Sequence, residues 1–160
     1  MKLFSFQRIF PILGLFVFIL LFSACEKSDK YIDWKIINQD WYNQHKNDPG
    51  FTVTESGLVY RRVGPKANPA DRTPNANDVV IVNYEGKYID GITFEDAKNK
   101  PITLSGVVPG FQEALLKMKQ GEIFEFYIPF EIGYGKKGRG NIPPYTTLIY
   151  QVELLESKAY

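Results

Sequence analysis

The side chains able to do conventional chemistry are few and scattered. The 160 residues contain one Cys, Cys25, and one His, His45. A single His excludes a multi-His metal centre. A single Cys excludes an internal disulfide and a Cys-based zinc site. A Ser–His–acid triad would have to be built on His45, which lies upstream of the strand-rich part of the chain and is expected to face solvent near a helix end. Four acids, Glu85, Asp90, Glu95 and Asp96, are close in sequence. A glycosidase pair needs two carboxylates across a sugar cleft, whereas neighbours around one hairpin read as solvated groups. Residues 133–140, Gly-Tyr-Gly-Lys-Lys-Gly-Arg-Gly, are basic and glycine-rich. They lack the Ser or Thr that follows Lys in a P-loop. They also run into Ile142-Pro143-Pro144, and Pro-Pro cannot open a helix N-terminus with free N–H donors. A mobile surface loop is expected there. What remains is aromatic and aliphatic: Tyr84, Phe94, Val107, Val108, Phe111, Tyr134, Ile142 and Tyr150. Taken by themselves, these read as core.

The averages exclude several classes. Lys+Arg number 19 and Asp+Glu 18, for a net charge of +1, and nothing in that balance points to nucleic acid. At 44% hydrophobic and 23% charged, the chain is an ordinary globular protein, not a collagen or a wholly disordered one. The N-terminus departs from these averages. Residues 1–24 contain Lys2 and Arg8 and no acid, and every residue from Ile9 to Phe22 is apolar, Pro or Gly. A basic start, a short apolar run and a small-residue end form the layout of a secretory signal. The run falls short of the ~20 residues that span a bilayer. Leu21-Phe22-Ser23-Ala24-Cys25 resembles a bacterial lipobox, in which cleavage before the Cys exposes it for lipidation. The resemblance implies an exported bacterial lipoprotein held at the cell envelope through Cys25. Buried acyl chains contribute roughly 0.8 kcal/mol per CH₂ to such anchoring.

The expected division is a signal over 1–24, a tether and amphipathic helix over 25–53, and a main domain over 54–160. Trp34, Ile37 and Trp41 recur at helical spacing and should form one packed face, with Asp29 as N-cap and Asp48-Pro49-Gly50 as the stop. Leu58 to Arg61 alternates as a strand. Residues 64–78 carry Gly64, Pro65, Pro69 and Pro74 and form a loop. Val79 to Tyr84 is strongly β. Asp90-Gly91, between Tyr88-Ile89 and Ile92-Thr93-Phe94, signals a hairpin. Phe111, Leu115 and Met118 mark a short helix that ends before Gly121. Ile123–Ile128 is a strand with Phe124, Phe126 and Ile128 on one face. Leu148, Tyr150, Val152 and Leu154 alternate along a last strand. Many strands and one covering helix predict an α+β domain with an antiparallel sheet.

In that order, the motifs resemble a known family. Val82-Asn83-Tyr84-Glu85-Gly86 with Asp90-Gly91-Ile92-Thr93-Phe94 is similar to the start of an FKBP-type peptidyl-prolyl cis–trans isomerase domain. Asn99-Lys100-Pro101, Val107-Val108-Pro109-Gly110-Phe111, Ile128-Pro129 to Tyr134-Gly135, Ile142-Pro143-Pro144 and Leu148 to Leu154 follow in the family's sequence. Glu55-Ser56-Gly57-Leu58-Val59-Tyr60 is similar to the lead-in of secreted bacterial members. The resemblance covers about residues 54–157.

The resemblance implies a five- or six-stranded antiparallel sheet wrapped around one short helix, with a pocket between helix and sheet. It implies proline-containing polypeptide clients, a macrolide as a further ligand class, and no cofactor, metal or nucleic acid. Residue by residue, Tyr84 and Phe94 would form one wall, and Val107 and Val108 the rim, with the Val108 N–H donating to a substrate carbonyl. Phe111 would be the aromatic floor, where the family usually has Trp. Tyr134 would offer its hydroxyl, Ile142 would line the loop side, and Tyr150 stands where Phe is usual. Glu95 stands where Asp is typical, so its carboxylate is expected to shift by roughly 1 Å, a displacement that lowers rates. The spacing from Pro101 to Val107 is about two residues tighter than in common members, which leaves Ile102 or Leu104 for the remaining wall. The implied function is an isomerase assisting the folding of exported proteins; the alternative is a membrane-anchored proline-binding chaperone with weak or no turnover.

Overall fold

The computed structural model describes residues 30–159. The expected signal, Cys25 and the Asp29 cap fall outside them. From Tyr31 onward the chain forms one compact unit. The order is α1 (Ile32–His45), β1 (Thr52–Val53), β2 (Val59–Arg62), β3 (Val79–Lys87), β4 (Thr93–Thr103), α2 (Pro109–Leu115), β5 (Ile123–Ile128) and β6 (Leu148–Lys158). The strands form one sheet in the order β1-β2-β5-β6-β3-β4, antiparallel at every pairing.

The central strands carry the alternation that makes the core. Val80, Val82 and Tyr84 from β3, Phe124, Phe126 and Ile128 from β5, and Leu148, Tyr150, Val152 and Leu154 from β6 point to one face. Period-2 patterning requires this once one face is buried. α2 covers that face with Phe111, Ala114 and Leu115. Met118, fully buried, sits in the turn just beyond the helix end rather than within it. Pro109 opens α2 with its fixed φ. Gly110 lets the helix backbone rest on the sheet, because a Cβ there would come within 2.5 Å of Ile128 Cγ2.

β4 is longer than the sequence implied. Its burial is mostly exposed, without alternation, as befits a polar edge strand. Asn83 explains its course: it donates to Glu153 Oε2 (2.7 Å) and accepts from the Asn99 N–H (2.8 Å). Asn99 has φ +50°, a conformation that Asn tolerates better than most residues. The register slips between Val82 and Tyr84 at the same place, as at a β-bulge.

α1 packs differently from expectation. Its cap position is Tyr31, with no side-chain capping bond. Ile37 is 54% exposed, whereas Asn38 is completely buried. The reason is hydrogen bonding: Asn38 Oδ1 accepts the buried Thr147 N–H (2.8 Å), and Trp34 Nε1 donates to Thr146 Oγ1 (3.0 Å). The Tyr42 hydroxyl donates to the Gly57 carbonyl (2.7 Å). His45 is not a free solvent-facing group. It stacks on Trp41 at 4.2 Å, with Nδ1 2.7 Å from the Trp41 carbonyl oxygen. Trp41 in turn meets Tyr127 edge-on at 5.0 Å.

Asp78 ties the Pro-rich loop to the sheet. Its buried carboxylate accepts from the Asn75 N–H (2.9 Å), Ser157 Oγ (3.0 Å) and Arg72 Nη2 (2.7 Å). Its carbonyl accepts from the Leu104 N–H (3.1 Å), which fixes the 3₁₀ turn Leu104–Gly106.

Asn38→Ala strands the buried Thr147 N–H and should cost about 1–3 kcal/mol in urea unfolding; an unchanged midpoint would refute this account of the docking. The Asp78 carboxyl is held below the usual carboxylate range, first by the Asn75 N–H and then by Ser157 and Arg72. A depressed native pKa gives stability that is present above the unfolded value near 4 and is lost as pH falls through the native value. Thermal midpoints should therefore drop below about pH 4, and Asp78→Asn, weaker at neutral pH, should show a shallower fall.

Candidate active site

The cleft lies over the core face, where the start of α2, the β3–β4 pair and the excursion between β5 and β6 converge. It holds about 430 Å³ and is lined by Tyr84, Glu95, Lys100, Ile102, Gly106, Val107, Val108, Phe111, Tyr134, Arg139 and Tyr150. β5 and β6 are sheet neighbours joined not by a tight turn but by residues 129–147. That excursion delivers Tyr134 and Arg139. It folds back on itself through Gly135 N–H to Phe130 carbonyl (2.9 Å), Gly138 N–H to Tyr134 carbonyl (3.2 Å) and paired bonds between Arg139 and Ile142. The glycine-rich stretch expected as a mobile loop is therefore internally hydrogen-bonded.

The floor is aromatic. Phe111 meets Tyr150 at 4.9 Å, Phe126 at 5.5 Å and Tyr84 at 5.9 Å, all near-perpendicular, the edge-to-face geometry that ring quadrupoles favour. Gly86 makes this possible. It pairs with Tyr150 across the ladder, and a Cβ there would lie 2.6 Å from Phe94 Cζ and 2.7 Å from Tyr150 Cε1.

The polar groups divide into committed and open. The Tyr84 hydroxyl donates to Glu95 Oε1 at 2.5 Å. The Glu95 carboxylate, with its extra methylene, thus reaches the wall tyrosine. Burial first, and then this bond, push the Tyr84 phenol well above its ordinary pKa. Burial likewise pushes Tyr150 up, so both rings stay protonated as neutral donors. Among the described residues, neither the Tyr134 nor the Tyr150 hydroxyl has a hydrogen-bond partner, although Tyr150 is only 4% exposed. The Val108 carbonyl accepts from the Phe111 and Gln112 N–H groups, which fixes its peptide, while the Val108 N–H meets no acceptor among the described residues.

Seven of the expected site residues come together here: Tyr84, Glu95, Val107, Val108, Phe111, Tyr134 and Tyr150. Two do not line the cleft. Phe94 stands behind the floor, edge-on to Tyr150 at 5.6 Å and tilted on Tyr88 at 5.0 Å. Ile142 is buried in the core cluster, because its turn is pinned to Arg139. Of the two wall candidates, Ile102 lines the cleft, whereas Leu104 is wholly buried in the core. The acids are separately engaged: Glu85 with Lys87 and Thr93, Asp90 with the Ile92 N–H, and Asp96 with Lys98. The sequence signal for Lys100 and Arg139 was weak: one is the middle residue of Asn99-Lys100-Pro101 and the other one of three cations in the glycine-rich stretch 133–140. Sequence reasoning missed the roles of Gly86 and Asn83, for which the signal was a Gly and an Asn inside a β-rich run.

Residues 70–155 match the family model described as FKBP-type peptidyl-prolyl cis-trans isomerase. The chain is 36% identical over 141 residues to the FKBP-type peptidyl-prolyl cis-trans isomerase FkpA of Escherichia coli (strain K12), covering 85% of this chain and 51% of that protein. It is 35% identical over 140 residues to the outer membrane protein MIP of Legionella longbeachae, covering 84% and 59%. The crystal structure of FkpA from Escherichia coli superposes with a TM-score of 0.76 at 33% identity, covering 97% of this chain and 74% of that one. The chain thus spans about half the length of the curated relatives it matches.

Gly86→Ala should displace Phe94 or Tyr150 and destabilise by about 1–3 kcal/mol, the range for overpacking, with loss of ligand binding in the cleft. Wild-type stability and binding in that variant would show that the rings have room.

Proposed function

The chain belongs to the FKBP-type peptidyl-prolyl cis-trans isomerase family, and from that membership we propose that its cleft accelerates cis–trans exchange of X–Pro bonds in exported polypeptides. The observation that carries the reading is an aromatic cleft whose open polar groups, the Tyr134 and Tyr150 hydroxyls and the Val108 N–H, are all donors that no protein group occupies.

An amide resists rotation because resonance gives a barrier of about 18–20 kcal/mol. The X–Pro isomers differ by only roughly 1 kcal/mol, yet exchange takes tens of seconds or longer. Twisting the bond removes resonance and weakens the carbonyl dipole. Apolar walls formed by Phe111, Ile102, Val107 and the tyrosine rings therefore penalise the planar form more than the twisted one. Donors on the cleft wall grip the neighbouring peptide carbonyls and hold the twisted geometry while the proline ring rests on the floor. Glu95 positions the Tyr84 ring through its hydroxyl. This is preferential binding of the transition state; a thousandfold acceleration needs only about 4 kcal/mol. No nucleophile and no proton transfer is involved. The same pocket would take a macrolide of matching apolar shape.

Two observations weigh against binding without turnover. The Glu95 carboxylate engages Tyr84 in spite of its length, and several relatives carry isomerase names. The proposed location is the cell envelope, with lipid on Cys25 as the anchor. Its support is the 1–25 pattern and the outer-membrane name of one relative.

The test is exchange NMR of a Leu–Pro tetrapeptide with the full chain in non-ionic detergent. Catalytic broadening of the cis and trans signals is expected. Tyr134→Phe should lower kcat/KM about three- to tenfold, the worth of one hydrogen bond. Unchanged exchange with the wild-type chain would overturn the isomerase reading.

A further inference from the structure

Two of the groups lining the cleft are cations that nothing in the fold employs. Lys100 comes from β4, just past the left-handed turn at Asn99, and Arg139 comes from the excursion between β5 and β6. Both are exposed. Nearby lysines are neutralised locally: Lys87 pairs with Glu85 at 2.9 Å and Lys98 with Asp96 at 3.6 Å. Lys100 and Arg139 have no acidic partner among the described residues, and neither do Lys136 and Lys137 on the same excursion. The one acid lining the cleft, Glu95, accepts from the Tyr84 hydroxyl, a neutral donor that does not cancel its charge, so the lining sets two cations against one carboxylate. The whole chain carries a net charge of only +1, so this is a local concentration of positive charge around the cleft. A wall of low dielectric constant focuses such a field rather than dispersing it.

We propose that Lys100 and Arg139 make the cleft selective for X–Pro segments with an acidic side chain next to the proline. The inference rests on the isomerase reading and specifies its substrate class. An incoming Glu or Asp gains the attraction of two unpaired cations as the proline enters. A Lys in the same position is repelled by both. The neutral floor still binds the proline ring, so the charges grade substrates without creating the activity. Because both cations are exposed, the effect is screened by salt, over about 10 Å at 0.1 M.

The experiment compares three tetrapeptides, Ala-Glu-Pro-Phe, Ala-Leu-Pro-Phe and Ala-Lys-Pro-Phe, and a second set with Glu or Lys directly after the proline. Exchange NMR with the full chain in non-ionic detergent reads kcat/KM. At about 10 mM salt the Glu peptide of at least one set should exceed its Lys counterpart by about fivefold, falling below about twofold at 0.5 M. The double variant Lys100→Glu, Arg139→Glu should invert the order, whereas Lys66→Glu, in the Pro-rich loop, should leave it unchanged. Equal rates for the Glu and Lys peptides of both sets at low salt, with the Leu peptide turned over, would overturn the selectivity and leave the isomerase reading standing. An order that persists in the double variant, or that Lys66→Glu also inverts, would likewise overturn the assignment to these two residues. Failure to turn over any peptide would remove the isomerase reading, and the selectivity with it.

Discussion

Where β3 passes beneath Tyr150 and Phe94, the chain has Gly86 and therefore no Cβ. The three rings of Tyr150, Phe94 and Phe111 can then meet edge-on, with centroids 4.9–5.6 Å apart for the contacts that involve Tyr150. A larger residue would push Tyr150 toward the cleft or Phe94 off its support. The cleft floor, its depth and the placing of the Tyr150 hydroxyl all follow from that missing side chain. Core packing tolerates little added volume, so the vacancy at Gly86 is matched to the rings that fill it.

Around this floor, the fold sets the walls through hydrogen bonds rather than through further apolar packing. Asn83 holds the Asn99 turn, which sends Lys100 and Ile102 to one side of the cleft. Asp78 holds Leu104 through its carbonyl and the Pro-rich loop through its carboxylate, which fixes the rim before α2. The excursion over 129–147 is closed by its own backbone bonds and is met at its far end by Asn38 and Trp34 of α1. The N-terminal helix is thus fastened to the segment that carries Tyr134 and Arg139, although it contributes no residue to the cleft lining.

Much of this was legible in the residues. The strands β3, β5 and β6 alternate in register with their burial, and Pro109 and Phe111 place α2. The ordered motifs carried the family resemblance, and most of the cleft lining with it. β4 beyond Glu95 was not legible, because an exposed edge strand has no buried face to impose a period. The face of α1 was misread for a related reason. Apolarity favoured Ile37, yet the partner surface offers the Thr147 N–H and needs an acceptor, which Asn38 supplies. Phe94 and Ile142 were assigned to the cleft from motif position, but one ring supports another and one turn is pinned inward.

The sequence by itself determined the class of fold and the aromatic character of the site. These depend on residue type and local period, which are properties of the string. The tertiary structure decided which donors are open and which are spent. Tyr84 is bound to Glu95, Tyr134 and Tyr150 are uncommitted, and two cations line the cleft with no ion-pair partner among the described residues. Those distinctions depend on distances between residues far apart in the chain, set by sheet register and by the hydrogen bonds that bend β4 and close the excursion, and no local pattern encodes them.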